Sequence, residues 1–426
     1  MKLRFILLFI FGILWTKNVD ASYIVLPMDH KDQTNHLKAY GITYWVLTFE
    51  VDAYWMLNYR GGSFAFPHTP KFEAECKIRG VKYEIIPNAQ FAAIRREIAN
   101  PEMNQDVIKL NKAPKIAVYS PTVNARGEAI QPWDDAVTLV LTYAEIPYDL
   151  VYDREVLEDK LAEYDWLHLH HEDFTGQYGK FFASQGNKPW YQENQRRMES
   201  LATSLGFSKV SQLKLAVAKR IKEYIEGGGF MFAMCSATDT YDIALAAQGL
   251  DIVGSIYDGD GMDPEMQEKL DFSQTLAFKD FKLIQNPLTY EHSTIDHKNR
   301  KIAADNDYFT LFDFSAKFDP VPTMLTQNHT RTVKGFMGQA TAFDKAYLKS
   351  SVLVLGQNKA INEAKYVHSS YGFGTWTFYA GHDPEDYRHY VGDPETDLNL
   401  HPQSPGYRLI LNNVLFPAAQ KKKQKT

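Results

Sequence analysis

Apolar and polar positions along the chain fall into two rhythms. Between residues 22 and 110, apolar-aromatic runs (GITYWVLTFEV, YWMLNYRGGSFAF, VKYEII) alternate with amphipathic stretches such as NAQFAAIRREIA. With Arg60-Gly61-Gly62 as a turn, they predict a small α/β unit. From Pro114 onward, one run of strand length is followed by one of helical spacing, repeatedly. KIAVYSP, YDLVY, DWLHLHHED and FMFAMC read as strands, and DDAVTLVLTYAEI, REVLEDKLAEY and QLKLAVAKRIKEYIEGGG as helices. Such alternation builds a parallel sheet covered on both faces, the doubly wound α/β class, expected here over residues 111–420. Insertions at 174–210 and 255–350 interrupt it and are expected around the ligand crevice. SVLVLG, AKYVHSSYGFG and TWTFYAGH then resume as strands, and GYRLILNNVLF closes the domain as a helix.

The first 21 residues change the picture of where the protein works. Lys2 and Arg4 precede FILLFIFGILW, and Val19-Asp20-Ala21 ends the segment, which reads as a signal peptide cut after Ala21. The product is expected to be periplasmic or secreted. Ser22, not a cysteine, follows the cut, so a lipid anchor is not indicated. No later run approaches about 18 apolar residues, so no membrane span is expected. A net charge of −6 argues against nucleic acid, whose phosphates call for basic patches. The basic tail at 421–426 reads as solvated.

Candidate chemistry gathers where three strands end, because the crevice of an open α/β sheet lies beyond its carboxyl ends. One strand ends in His170, His171, Glu172 and Asp173, the second in Cys235, the third in His382, Asp383 and Glu385. Cys235, between strand and helix, has the setting of a nucleophile elbow, with the amides of Ser236 and Ala237 facing an oxyanion. A helix start is expected to lower its thiol pKa. His382 would be the base and Glu385 or Asp383 its orienter. The alternatives for Cys235 are a buried small hydrophobe or a disulfide with Cys76.

In HLHHEDF, strand alternation puts His168 and His170 on one face and His171 on the other, so one shared metal is not expected. His170 and Glu172 are taken as substrate-binding residues, and no metal or cofactor is assigned. His329 and Arg331 offer a cationic clamp for an anionic substrate, or partners for nearby carboxylates. YDGDGMDPEMQE lacks the spacing of a calcium loop and reads as a solvated acidic segment.

Two resemblances follow from these residues. GGGFMFAMCSATDT resembles the G-x-C-x-G segment of class I glutamine amidotransferases, with Ala233 and Ala237 at the glycine positions. It also resembles the ThuA-like (trehalose utilisation) branch of that superfamily, with Cys235 where a histidine usually stands. GTWTFYAGHDPEDY with PGYRLILNNVLF is similar to the ThuA-like ending, although Glu385 stands three positions after His382 and the amidotransferase pattern is His-x-Glu. The resemblance covers about residues 114–250 and 350–416. It implies a flavodoxin-like sheet and a small amide or sugar substrate. The function it implies is either a thiol-dependent hydrolase or amidase, or a non-catalytic carbohydrate-binding protein with Trp133, Tyr178 and Trp190 lining the crevice. Exported bacterial chains similar to this one are often labelled asparagine synthetase B. That enzyme needs a cysteine after the initiator methionine and a Ser-Gly-Gly-x-Asp-Ser loop, and here residue 2 is Lys2 and no such loop occurs.

Overall fold

Strand β1 (Ser22–Leu26), helix α1 (His36–Leu47), strands β2 (Ala53–Leu57) and β3 (Ser63–Pro67), helix α2 (Pro70–Ile78), strand β4 (Glu84–Pro87), helix α3 (Asn88–Ile98) and strand β5 (Asp106–Leu110) make up the first unit. Its sheet is antiparallel throughout, in the order β4-β1-β3-β2-β5. The computed structural model describes residues 22–123, 128–129, 131–132, 134–296, 302–313, 315–319, 330–388, 390 and 392–419. The segment 1–21 expected to be a signal peptide, the basic tail at 421–426, Trp133 and His329 lie outside the described residues.

The second sheet begins with β6 (Ile116–Tyr119), α4 (Ala136–Tyr143), β7 (Asp149–Val151), α5 (Asp153–Leu157) and β8 (Trp166–Leu169). Helices α6 (Phe182–Gln185), α7 (Pro189–Ser204) and α8 (Val210–Glu226) lead to β9 (Phe230–Met234) and α9 (Ala237–Ala246). Then come α10 (Ser255–Asp258), β10 (Tyr308–Leu311), β11 (Thr332–Lys334), β12 (Phe343–Asp344), β13 (Leu353–Asn358), β14 (Glu363–Tyr371), β15 (Gly374–Tyr379) and α11 (Pro405–Leu415).

Five strands, in the order β7-β6-β8-β9-β15, run parallel. The sheet then continues antiparallel through β14, β13, β10 and β11. The result is a mixed α/β sheet, not the wholly parallel one expected from the alternation of runs. SVLVLG and AKYVHSSYGFG are long enough for strands but have no crossover helix between them. Gly372, at φ 59, and Phe373 instead join β14 to β15 as a tight hairpin, which reverses the chain.

Alternation along the central strands sends side chains to two cores. Ile116, Val118, Trp166, Phe232 and Met234 face α1, α4 and α11. Ala117, Leu167, Leu169, Met231 and Ala233 face α8 and α9. Both faces being covered explains why β9 is apolar along its whole length. Helix α8 buries Val210, Leu213, Val217, Ile221 and Ile225, a stripe at spacings of three and four. The first unit shares the α4 and α11 core, because α1 packs on both helices and buries nearly its whole surface. Among the described residues, no helix is long and apolar enough to cross a membrane.

Candidate functional site

The carboxyl ends of β8, β9 and β15 lie side by side, since Leu169 pairs with Ala233 and Tyr379 with Met234. One residue beyond β9, the Cys235 N–H donates to the Gly381 carbonyl at 3.1 Å, which ties the turn before α9 to the turn carrying His382. Gly338 packs against that second turn. A Cβ there would meet the His382 backbone nitrogen at 2.8 Å, and with φ at 152 only glycine allows this approach.

Strand β8 stops at Leu169, and the Glu172 N–H donates back to the His170 carbonyl, turning the chain at once. Strand alternation therefore no longer governs His170 and His171, and both turn toward His382. Ring centroids of His170 and His382 are 4.7 Å apart, those of His171 and His382 5.3 Å, and those of His170 and His171 4.4 Å. One ligand atom from each of the three lies within 4.8 Å of the others. This trio is not the His168, His170 and His171 set that was not expected to share an ion, since His168 is turned to Asp135.

Two carboxylates stand behind the imidazoles. Asp135 Oδ1 is 3.3 Å from His170 Nδ1, and both Asp135 oxygens lie within hydrogen-bonding distance of His168 Nε2, at 3.2 and 3.1 Å. The same carboxylate caps α4 by accepting the N–H groups of Val137 and Thr138. Burial opposes its charge, but the charges of His168 and His170 and their hydrogen bonds outweigh it, holding Asp135 well below the usual carboxylate range. Asp134 Oδ2 is 3.4 Å from His382 Nε2. Neither aspartate was singled out from the sequence. The available signal was a pair of acids opening the helix after the first strand of the repeat.

Cys235 sits between β9 and α9 with φ 54, the left-handed region that a side chain rarely adopts. The N–H groups of Ser236 and Gln339 point at its sulfur, and Ala237 opens α9. Contrary to the expected lowering, burial pushes the thiol up to about 12, with Asp239 and Asp296 adding to the shift. Burial likewise raises Asp239 to about 6 and Asp296 to about 7. Both cysteines are free and buried, so no disulfide joins them.

The other expected site residues have separate engagements. Asp383 accepts the Glu385 N–H and the Tyr407 hydroxyl, each at 2.8 Å, and Glu385 pairs with His401 at 3.2 Å. Among the described residues, Asp134 is the carboxylate seen against the His382 ring. Glu172 lies 3.3 Å from Lys214, whose buried ammonium also reaches Asp153 at 3.1 Å and the hydroxyls of Tyr119 and Tyr152. Arg331 is exposed beside Asp313, just before β11 at the far edge of the sheet. Tyr178 is buried, and Trp190 is exposed.

No family model matches the chain, and no curated protein does either. Among solved structures, it is similar to the cytoplasmic protein STM3548 from Salmonella typhimurium at 11% identity and a TM-score of 0.34, over 72% of this chain and 100% of that one. Cytoplasmic protein STM1381 from Salmonella typhimurium LT2 gives 11% identity and a TM-score of 0.32 over the same shares, 72% and 100%.

Proposed function

We propose that the chain is an exported hydrolase acting on a small amide or sugar-derived molecule, with His170, His171 and His382 as the group that activates water. One observation carries this reading: three imidazoles from the ends of two strands converge, and Asp135 and Asp134 hold two of them from behind. A carboxylate on one ring nitrogen fixes the tautomer and presents the other nitrogen for proton transfer or ligation. The fold proposed behind this site is flavodoxin-like and doubly wound. The order β7-β6-β8-β9-β15, which is 2-1-3-4-5 in chain order, supports it, as do helices on both faces. The resemblance of about residues 114–250 and 350–416 to the glutamine amidotransferase-like superfamily, and to its ThuA-like branch, points the same way.

A second reading, thiol-dependent amide hydrolysis, is favoured by the left-handed turn at Cys235 and the two N–H groups on its sulfur. In it, the Cys235 sulfur attacks the carbonyl carbon while His382 takes the thiol proton and the Ser236 N–H meets the oxyanion; collapse breaks the C–N bond, His382 returns the proton to the leaving amine, and water then hydrolyses the thioester. A thiol pushed up to about 12 stays protonated at neutral pH, which ranks this reading second. Incubating the purified protein with a panel of amides and glycans tests the proposal. Turnover that disappears in His382→Gln is the expected result. Saturable glycan binding without turnover would contradict it and indicate a carbohydrate-binding protein.

A further inference from the structure

We propose that His170, His171 and His382 bind one divalent transition-metal ion of the imidazole-preferring class, zinc being the type case, with a fourth position open for water or substrate. The inference deepens the hydrolytic reading and rests on it for what the ion would do; the ion's binding is argued from geometry alone. In a tetrahedral zinc site with Zn–N bonds of about 2.0–2.1 Å, neighbouring nitrogens are about 3.3 Å apart. Here one nitrogen from each imidazole already lies within 4.8 Å of the others, so small ring rotations close the site.

The outer carboxylates strengthen the assignment. A metal-binding histidine usually gives its second ring nitrogen to a carboxylate, which fixes the tautomer and raises the basicity of the ligating nitrogen. His170 Nδ1 faces Asp135 at 3.3 Å and His382 Nε2 faces Asp134 at 3.4 Å, so each ring has a carboxylate at one nitrogen and would turn the opposite one to an ion. His170 is 2% exposed, and among the described residues its buried Nε2 has no hydrogen-bond partner, while its Nδ1 has only the 3.3 Å charge contact with Asp135. Burying an imidazole nitrogen unmatched is unfavourable unless something ligates it.

Donor chemistry selects the class of ion. Three imidazole nitrogens suit zinc, cobalt, nickel or copper, whereas magnesium and calcium ask for oxygen. The alternative trio of Asp135, His168 and His170 is less suited, because Asp135 is already committed to His168 and to two amides at the start of α4. Two ligands follow β8 and the third follows β15, with β9 between them, so strand ends hold the set in place. When bound, such an ion lowers the pKa of a water at its open position and polarises a substrate carbonyl.

The test uses the mature full-length chain, stripped with chelator and titrated with zinc by calorimetry and with cobalt by visible absorbance. The expected result is one equivalent of zinc, and cobalt bands of a four- or five-coordinate nitrogen site. His171→Ala, at a half-buried position, and Asp134→Asn are each expected to weaken zinc binding by at least about tenfold while circular dichroism stays unchanged. Absence of saturable zinc uptake, or unchanged affinity in both variants, would overturn the assignment. Zinc uptake without turnover of any substrate would uphold the ion and remove the hydrolytic reading. Turnover in a chain that takes up no zinc would do the reverse.

Discussion

Asp134 Oδ2 stands 3.4 Å from His382 Nε2, joining the segment before α4 to the turn after β15. Asp134 itself has φ 55, a conformation that asparagine tolerates. Asp134→Asn should therefore keep the backbone and remove only the charge that orients the ring. A fall in kcat of about 10- to 100-fold with KM little changed is expected. Steady-state kinetics on whichever panel substrate turns over would check it, and an unchanged kcat would free Asp134 of this role.

Lys214 lies fully buried behind the crevice, among Asp153, Glu172, Tyr119 and Tyr152. Burial opposes its charge, but the surrounding carboxylates and phenols hold its pKa well above the ordinary lysine value. Lys214→Met leaves those carboxylates without their cation and is expected to destabilise the fold by about 3–5 kcal/mol. Urea unfolding of parent and variant measures this. A loss under about 1 kcal/mol would mean that the network relaxes around methionine.

Burial pushes the thiols of both Cys76 and Cys235 up to about 12. Iodoacetamide should therefore label both slowly in native protein at neutral pH and rapidly once the chain is unfolded. Fast, selective labelling of Cys235 in the native protein would promote the thiol reading to first place.

Asp239 and Asp296 keep their protons to about 6 and about 7 in the folded chain, against 3.8 as the ordinary value. The folded state thus binds more protons than the unfolded state between these values. Stability from this source is fully present below about 3.8 and is lost as pH rises through 6 and 7. Asp296→Asn should flatten the decline in urea midpoint between pH 5 and pH 8 relative to the parent. A steeper decline in the variant would contradict the assignment.

The parallel half of the sheet was legible because KIAVYSP, DWLHLHHED and FMFAMC are apolar runs each coupled to an amphipathic helix, and β9 is buried on both faces. The antiparallel half was not, since a strand's direction depends on its connection, and the Gly372 hairpin outweighs the rhythm that precedes it. Within the site, the strand-end rule found His170, His171, Cys235 and His382. It could not pair His382 with Asp134, because their contact depends on how β6 and β15 are ordered in the sheet. The local acids Asp383 and Glu385 were closer in sequence but are held by Tyr407 and His401. His170 and His171 both approach His382 because β8 ends at Leu169, so strand alternation does not extend to them.

The central claim, that the imidazole cluster and not the thiol carries the chemistry, is tested most directly by measuring kcat for Cys235→Ala and His382→Gln side by side on one substrate. The account predicts that Cys235→Ala stays within about threefold of the parent while His382→Gln loses at least about 100-fold, the scale of a lost acid–base group. Loss of turnover in Cys235→Ala with activity retained in His382→Gln would contradict it.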